Sequence, residues 1–125
     1  MEYVKTENAP TPAGHYSQAV VHNDLVFVSG QLPIVPETGE KITGTIKEQT
    51  VQTLNNLKAI LEASGSSIDN VLKATVYISD ISLWSRVNTI YSEFFGSHKP
   101  ARAVVSTTPL HFGFLIEIEA VAVIK

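Results

Sequence analysis

Phe114-Leu115-Ile116-Glu117-Ile118-Glu119-Ala120-Val121-Ala122-Val123-Ile124 lies at the end of the chain and decides how it folds. Side chains alternate across a strand. Ile116, Ile118, Ala120, Ala122 and Ile124 therefore share one face, and Leu115, Glu117, Glu119, Val121 and Val123 share the other. The first set is apolar throughout, the pattern of a sheet face packed beneath helices. The second is mixed, and a face turned to water does not ordinarily bear Leu and two Val. A second cover is therefore expected. The chain has only two helical segments, and both fit on one side of a sheet, so the expected cover is another copy of the same protein.

The segments upstream fit this sheet. Ala101 to Thr107 is a further strand, joined to the last by a loop, Thr107 to Gly113, that holds Pro109, His111 and Phe112. Leu83, Val87, Ile90, Tyr91 and Phe94 recur at helical period after Ser79-Asp80, a good N-cap pair, and Gly96 with Pro100 stops that helix. Val71 to Ile78 alternates Leu72, Ala74, Val76 and Ile78 against Val71, Lys73, Thr75 and Tyr77. The longer helix is marked at its start by Thr45 and Glu48 in capping-box spacing, lined by Ile46, Val51, Leu54, Leu57 and Leu61, and ended by Gly65. Leu32 to Gly44, with two prolines and Glu37-Thr38-Gly39, reads as a loop. Ser17 to His22 and Leu25 to Ser29 form a hairpin about His22-Asn23-Asp24. The first 14 residues, with Pro10, Pro12 and Gly14, read as an irregular arm. The order is β-β-α-β-α-β-β, one α+β domain over residues 1–125.

Composition narrows the function. Apolar residues are 44% of the 125 and charged residues 17%, a globular balance. The longest apolar run, Ala120 to Ile124, is far short of the roughly 20 residues of a membrane-spanning helix, so no membrane partner is expected. Met1-Glu2-Tyr3-Val4-Lys5 lacks the apolar core of a secretory signal, and a cytoplasmic location is expected. With no cysteine there is no thiolate nucleophile and no sulfur ligand. A net charge of −3 without a basic run disfavours nucleic acid as a partner.

Few residues can carry chemistry. Arg102 shares a strand face with Val104 and Ser106 among apolar neighbours, where its planar fork suits a carboxylate. From the residues alone, a structural ion pair with a nearby Glu is the favoured account. Glu117 and Glu119 point the same way about 7 Å apart, a separation seen in inverting glycosidases, but a chain this short has little room for a sugar cleft. His15, His22, His98 and His111 show no metal-ligand spacing, so no metal is expected. Ser29-Gly30-Gln31 stands at a strand end, where Gly30 permits close approach by a ligand or merely a turn.

Taken together, several segments resemble the RidA (YjgF) family of small imine deaminases. They are Glu7-Asn8-Ala9-Pro10, Gly14-His15-Tyr16-Ser17-Gln18-Ala19, Val28-Ser29-Gly30-Gln31-Leu32-Pro33 and Pro36-Glu37-Thr38-Gly39-Glu40. Glu48-Gln49-Thr50, Asn55 to Ala63, Val87 to Tyr91, Pro100-Ala101-Arg102 and Ile116 to Ala120 continue the set nearly end to end. The resemblance implies chorismate-mutase-like subunits in a homotrimer, their sheets forming a central barrel, with sites between neighbouring subunits. It implies hydrolysis of 2-imino acids, such as 2-iminopropanoate and 2-iminobutanoate, to 2-oxo acids and ammonia without cofactor or metal. By the same resemblance Arg102 clamps the substrate carboxylate and Glu117 holds the attacking water. Tyr16, Ser29, Gly30 and Asn88 line the pocket, and the backbone of Val104 contacts the carboxylate.

The chain departs from the usual pattern at His15, at Ala103-Val104 and in the loop Thr107 to Gly113, which leaves the preferred substrate size open. Two other functions compete with deamination: binding of small carboxylates or a protein partner without turnover, and the ribonuclease or translation-inhibiting activity known among relatives. The acidic balance opposes the latter.

Overall fold

The computed structural model describes residues 1–124. They form β1 (Glu2–Val4), β2 (Ala19–His22), β3 (Leu25–Gln31), α1 (Ile46–Ala63), β4 (Val71–Ile78), α2 (Trp84–Phe95), β5 (Ala101–Ser106) and β6 (Ile116–Val123). The six strands make a single sheet in the order β1-β2-β3-β6-β4-β5, so the closing strand lies in its interior. Every pairing is antiparallel except β4 with β5. A parallel pair needs a crossover, and α2 supplies it. This is the α+β, chorismate-mutase-like arrangement expected from the sequence.

The alternation of β6 sorts the molecule into two faces. Ile116, Ile118, Ala120 and Ala122 are buried with Val26, Val28, Ala74, Val76 and Ile78 under Leu54, Leu57, Ile60 and Leu61 of α1 and Val87, Tyr91 and Phe95 of α2. Register carries the opposite face across the strands: Phe27 faces Val121, Thr75 faces Glu119 and Tyr77 faces Glu117. Among the described residues no helix packs there, and Phe27 remains 46% exposed.

Local signals set the helix ends. Thr45 accepts from the Glu48 backbone N–H at 3.2 Å, and Glu48 reaches back to the Thr45 N–H, so the capping box forms as spelled. Asp80 caps a 3-10 turn, Ile81–Leu83, by accepting from the Ser82 N–H, and α2 begins after it. Gly96 ends α2 at φ 64, in the left-handed region that favours glycine.

Three expectations are corrected. The arm is not irregular throughout: Val4 is buried opposite Ala19, and β1 forms a short edge strand. In β4 the register slips between Val71 and Lys73, so Val71 turns into the core while Leu72 stays 48% exposed. Strict alternation cannot anticipate such a bulge. In α1, Val51 is exposed, whereas Gln49, Thr50, Thr53 and Asn56 are buried. Most of these polar side chains serve the backbone. Gln49 donates to the Gly44 carbonyl and accepts from the Leu115 N–H, while Asn56 donates to the carbonyls of Leu32 and Ile34. The long loop is thereby tied to α1. Burial without such partners costs about 1–3 kcal/mol per polar group, so these amides hold the loop in place.

Candidate active site

The residues singled out by sequence fall into two groups on opposite faces of the sheet. Tyr16, Ser29, Gly30 and Glu117 line one cleft of about 470 Å³ with Ala13, Gly14, Leu32, His111 and Phe112. Arg102 and Asn88 line another, of about 390 Å³, beneath α2 with Tyr91, His98 and Lys99. Val104 sits one pleat beyond Arg102 on the same face, since Ala74 pairs with Arg102 and Val76 with Val104. Within one chain, Arg102 and Glu117 do not meet.

The glutamate cleft is built on a bulge. Val28 pairs with Ala120 but Gln31 with Ile118, so β3 carries one residue more than β6 over this stretch. Ser29 and Gly30 occupy the extra length. A Cβ on Gly30 would overlap Oε2 of Glu117 and stand 3.0 Å from its Cδ. The close approach that glycine permits is thus by the chain's own carboxylate. Ser29 donates from its hydroxyl to the Ser17 carbonyl at 2.6 Å, which ties the Tyr16 segment to β3. Gln18 completes the tether: its amide donates to the carbonyls of Thr6, Ala9 and Pro10 and accepts from the Thr6 N–H. Tyr16, half exposed, is presented by this braced segment rather than by a strand.

Burial holds the Glu117 carboxyl above the usual range, with Glu119 adding to the rise and His111 opposing it. Glu119 itself is exposed and accepts from the Tyr77 hydroxyl at 3.2 Å. The two glutamates therefore differ in role despite their pairing along the strand. Glu117 is a partly desolvated base facing a cleft, and Glu119 is a solvated neighbour.

Arg102 is held by neutral groups. Its guanidinium donates to Oδ1 of Asn88 at 2.9 Å and lies 5.0 Å from the Trp84 ring centre and 4.8 Å from that of Tyr91. Such cation–π contacts contribute about 0.5–2 kcal/mol each and leave the charge uncompensated. A structural ion pair would instead place a carboxylate at the fork. The Tyr91 hydroxyl is buried without a hydrogen-bond partner, and burial pushes its pKa up against the pull of Arg102. Sequence reading did not assign Trp84 or Tyr91 to the site, and took Tyr91 for helix core, although Trp84, Asn88 and Tyr91 stand at helical spacing on one face of α2. Among the described residues no group of three or more His, Asp or Glu side chains could hold a metal ion.

Comparison with known proteins shows what the chain is similar to. Residues 6–124 match the family model described as Endoribonuclease L-PSP. A RutC family protein of Pyrococcus horikoshii is 50% identical over 121 residues, covering 97% of this chain and 96% of its own. Reactive Intermediate Deaminase A of Arabidopsis thaliana, a chloroplastic protein, is 41% identical over 97% of this chain and 65% of its own. Among solved structures, a putative endoribonuclease from Thermotoga maritima superposes with a TM-score of 0.96 at 50% identity, covering 100% of this chain and 98% of that one. TdcF of E. coli, solved with bound serine, gives 0.95 at 36% identity and covers both chains fully, 100% of each. Names within this group point to deamination in some members and RNA cleavage in others. The fold, the matched span and the identities place the chain in the RidA (YjgF) family.

Proposed function

We propose that this protein hydrolyses small 2-imino acids, among them 2-iminopropanoate and 2-iminobutanoate, to 2-oxo acids and ammonia as a cytoplasmic homotrimer. One observation carries the reading. A cation suited to a carboxylate and a carboxylate suited to a water lie on opposite faces of one chain, each half of a site. Setting the β5 edge of one copy against the open sheet face of the next brings Arg102 of one subunit to Glu117 of its neighbour and covers Phe27, Val121 and Val123.

Each half has its task. Arg102, steadied by Asn88, Trp84 and Tyr91, binds the substrate carboxylate through its fork, with the Val104 backbone beside it. Glu117 takes a proton from water as that water attacks the imine carbon, and its raised pKa makes it a better base than a solvated carboxylate. Gly30 leaves room for the carboxylate, and Tyr16 with Ser29 shapes the cleft. A protonated imine is already electrophilic, so positioning supplies much of the acceleration. The membership of a reactive intermediate deaminase in the family supports this chemistry.

RNA cleavage, suggested by other family names, fits the site poorly. A half-buried carboxylate and a net charge of −3 repel a phosphate backbone. The test is ammonia release from imines generated in place by an amino acid oxidase. Acceleration over spontaneous hydrolysis is expected; none at any substrate size would overturn the proposal. Calorimetry with 2-oxobutanoate separates a binding protein from an enzyme, since binding without turnover would favour the former.

A further inference from the structure

The glutamate cleft contains an acid as well as a base. His111 lines the same cleft as Glu117 and stands on the 3-10 turn His111–Gly113 that leads into β6. That turn is braced. Phe112 adopts φ 58, a costly conformation for a residue with an aromatic side chain, and its ring is held 5.7 Å from Phe114 and 4.7 Å below the Lys41 ammonium. Phe114 is buried, so the turn is anchored to the core. Strain of this kind persists where the surroundings fix it, and it clusters at functional sites. Here it leaves the imidazole at the cleft, its ring centre 6.0 Å from that of Phe112.

We propose that His111 is the proton donor of the imine hydrolysis, acting opposite Glu117; the inference rests on the function proposed above. The steps balance. Water adds to the carbon of the protonated imine as Glu117 takes one of its protons, and the C=N π pair moves to nitrogen, leaving a neutral carbinolamine. The His111 imidazolium then protonates that nitrogen. The C–N bond breaks with its electron pair leaving on ammonia, and the hydroxyl proton returns to His111 as the oxo group forms. Glu117 hands its proton to the departing ammonia, so both side chains end as they began. Histidine suits the role because it changes charge between about pH 5 and 8.

The other charged and titratable groups near this pair are Glu119 on β6, Tyr77 on β4, Tyr16 before β2 and Lys41 over Phe112. Glu119 and Lys41 are the charged groups among these. Neither can replace His111 in the cleft: Glu119 is solvated, and Lys41 lies across the Phe112 ring.

The test compares wild type with His111→Gln, which keeps a polar side chain but cannot supply the proton. The wild type is expected to show a bell-shaped kcat profile, and the variant to lose the alkaline limb with kcat falling on the order of tenfold or more. Affinity for 2-oxobutanoate and the melting temperature should hold. Independently of turnover, the Glu117 carboxyl resonance should titrate at higher pH in the variant, because the opposing imidazolium is gone. An unchanged kcat profile in an active variant would overturn the proposal alone. An inactive wild type would overturn this proposal together with the imine reading. Loss of 2-oxobutanoate affinity with kcat intact would make His111 a binding residue instead.

Discussion

The two faces of β6 obey different rules. On the helix side, Ile116, Ile118, Ala120 and Ala122 are at most 4% exposed and belong to the hydrophobic core. On the open side, Glu117 and Glu119 are followed by Val121 and Val123, which stay partly exposed in the lone chain. One face answers to packing of the chain on itself. The other combines chemistry with apolar area that this chain does not cover, so its demands come from outside the chain.

The largest expected effect tests that division directly. Ile118→Ala removes buried methylenes at the centre of the sheet and is expected to cost about 2–5 kcal/mol of stability, read as a lowered melting temperature. Val121→Asp, three positions along and on the other face, is expected to keep its far-ultraviolet circular dichroism while sedimenting as a monomer. A Val121→Asp protein that stayed trimeric would break the assignment of the open face to assembly.

Next comes the division of the site between faces. Arg102→Ala is expected to lower kcat/KM on the order of a hundredfold, about 3 kcal/mol, and to abolish 2-oxo acid binding. Arg102→Lys should restore little, because an ammonium lacks the fork. Glu117→Gln should keep the affinity and lose turnover. A shared site also allows complementation: refolding the Arg102→Ala and Glu117→Gln chains together in equal amounts should restore about a quarter of the sites, since Arg and Glu come from different subunits. No recovery in verified mixed trimers would place both groups in one subunit.

A smaller effect lies in the bulge. Gly30→Ala puts a methyl group where the Glu117 carboxylate rests, and what it meets is the end of a side chain rather than backbone. Folding and assembly are expected to survive, with kcat down roughly tenfold through misplacement of the base. Equal kcat in the variant would mean that the carboxylate position is not critical.

How far the sequence could be read follows from the same physics. The capping box at Thr45 and Glu48 and the alternation of β6 are local signals, and they came through intact. Leu72 and Val71 exchanged places because a bulge in β4 depends on a partner strand far away in sequence. Gln18, Gln49 and Asn56 were invisible as buried residues because polarity suggests a surface, and only the folded loops show which carbonyls need them. At the site, Tyr16, Ser29, Gly30 and Glu117 line one cleft, and Asn88 lines another with Arg102, so the residues that the resemblance puts in one pocket are divided within a single chain. Trp84 and Tyr91 were passed over as site residues, since an aromatic on or near a helix stripe reads first as core.

The smallest effect concerns stability and pH. Burial raises the Glu117 carboxyl above its unfolded value, with Glu119 in the same direction and His111 against it. Between the unfolded and folded pKa values the native state binds more protons than the unfolded one, so stability falls as pH rises through that window. Above the window the ionised carboxylate is a standing cost to the fold, of the kind a catalytic base imposes. Glu117→Gln removes the charge without changing the shape. The variant is therefore expected to melt slightly higher than wild type at neutral pH, with the gap closing below the ordinary carboxylate range, where both side chains are neutral. The comparison is made by calorimetry on trimers at matched concentration, because melting then also reports assembly. A gap that persisted unchanged in acid would assign it to packing of the amide rather than to the carboxylate's charge. A variant less stable at neutral pH would mean that Glu117 is held by favourable contacts, and the open face would then contribute to the fold as well as to the chemistry.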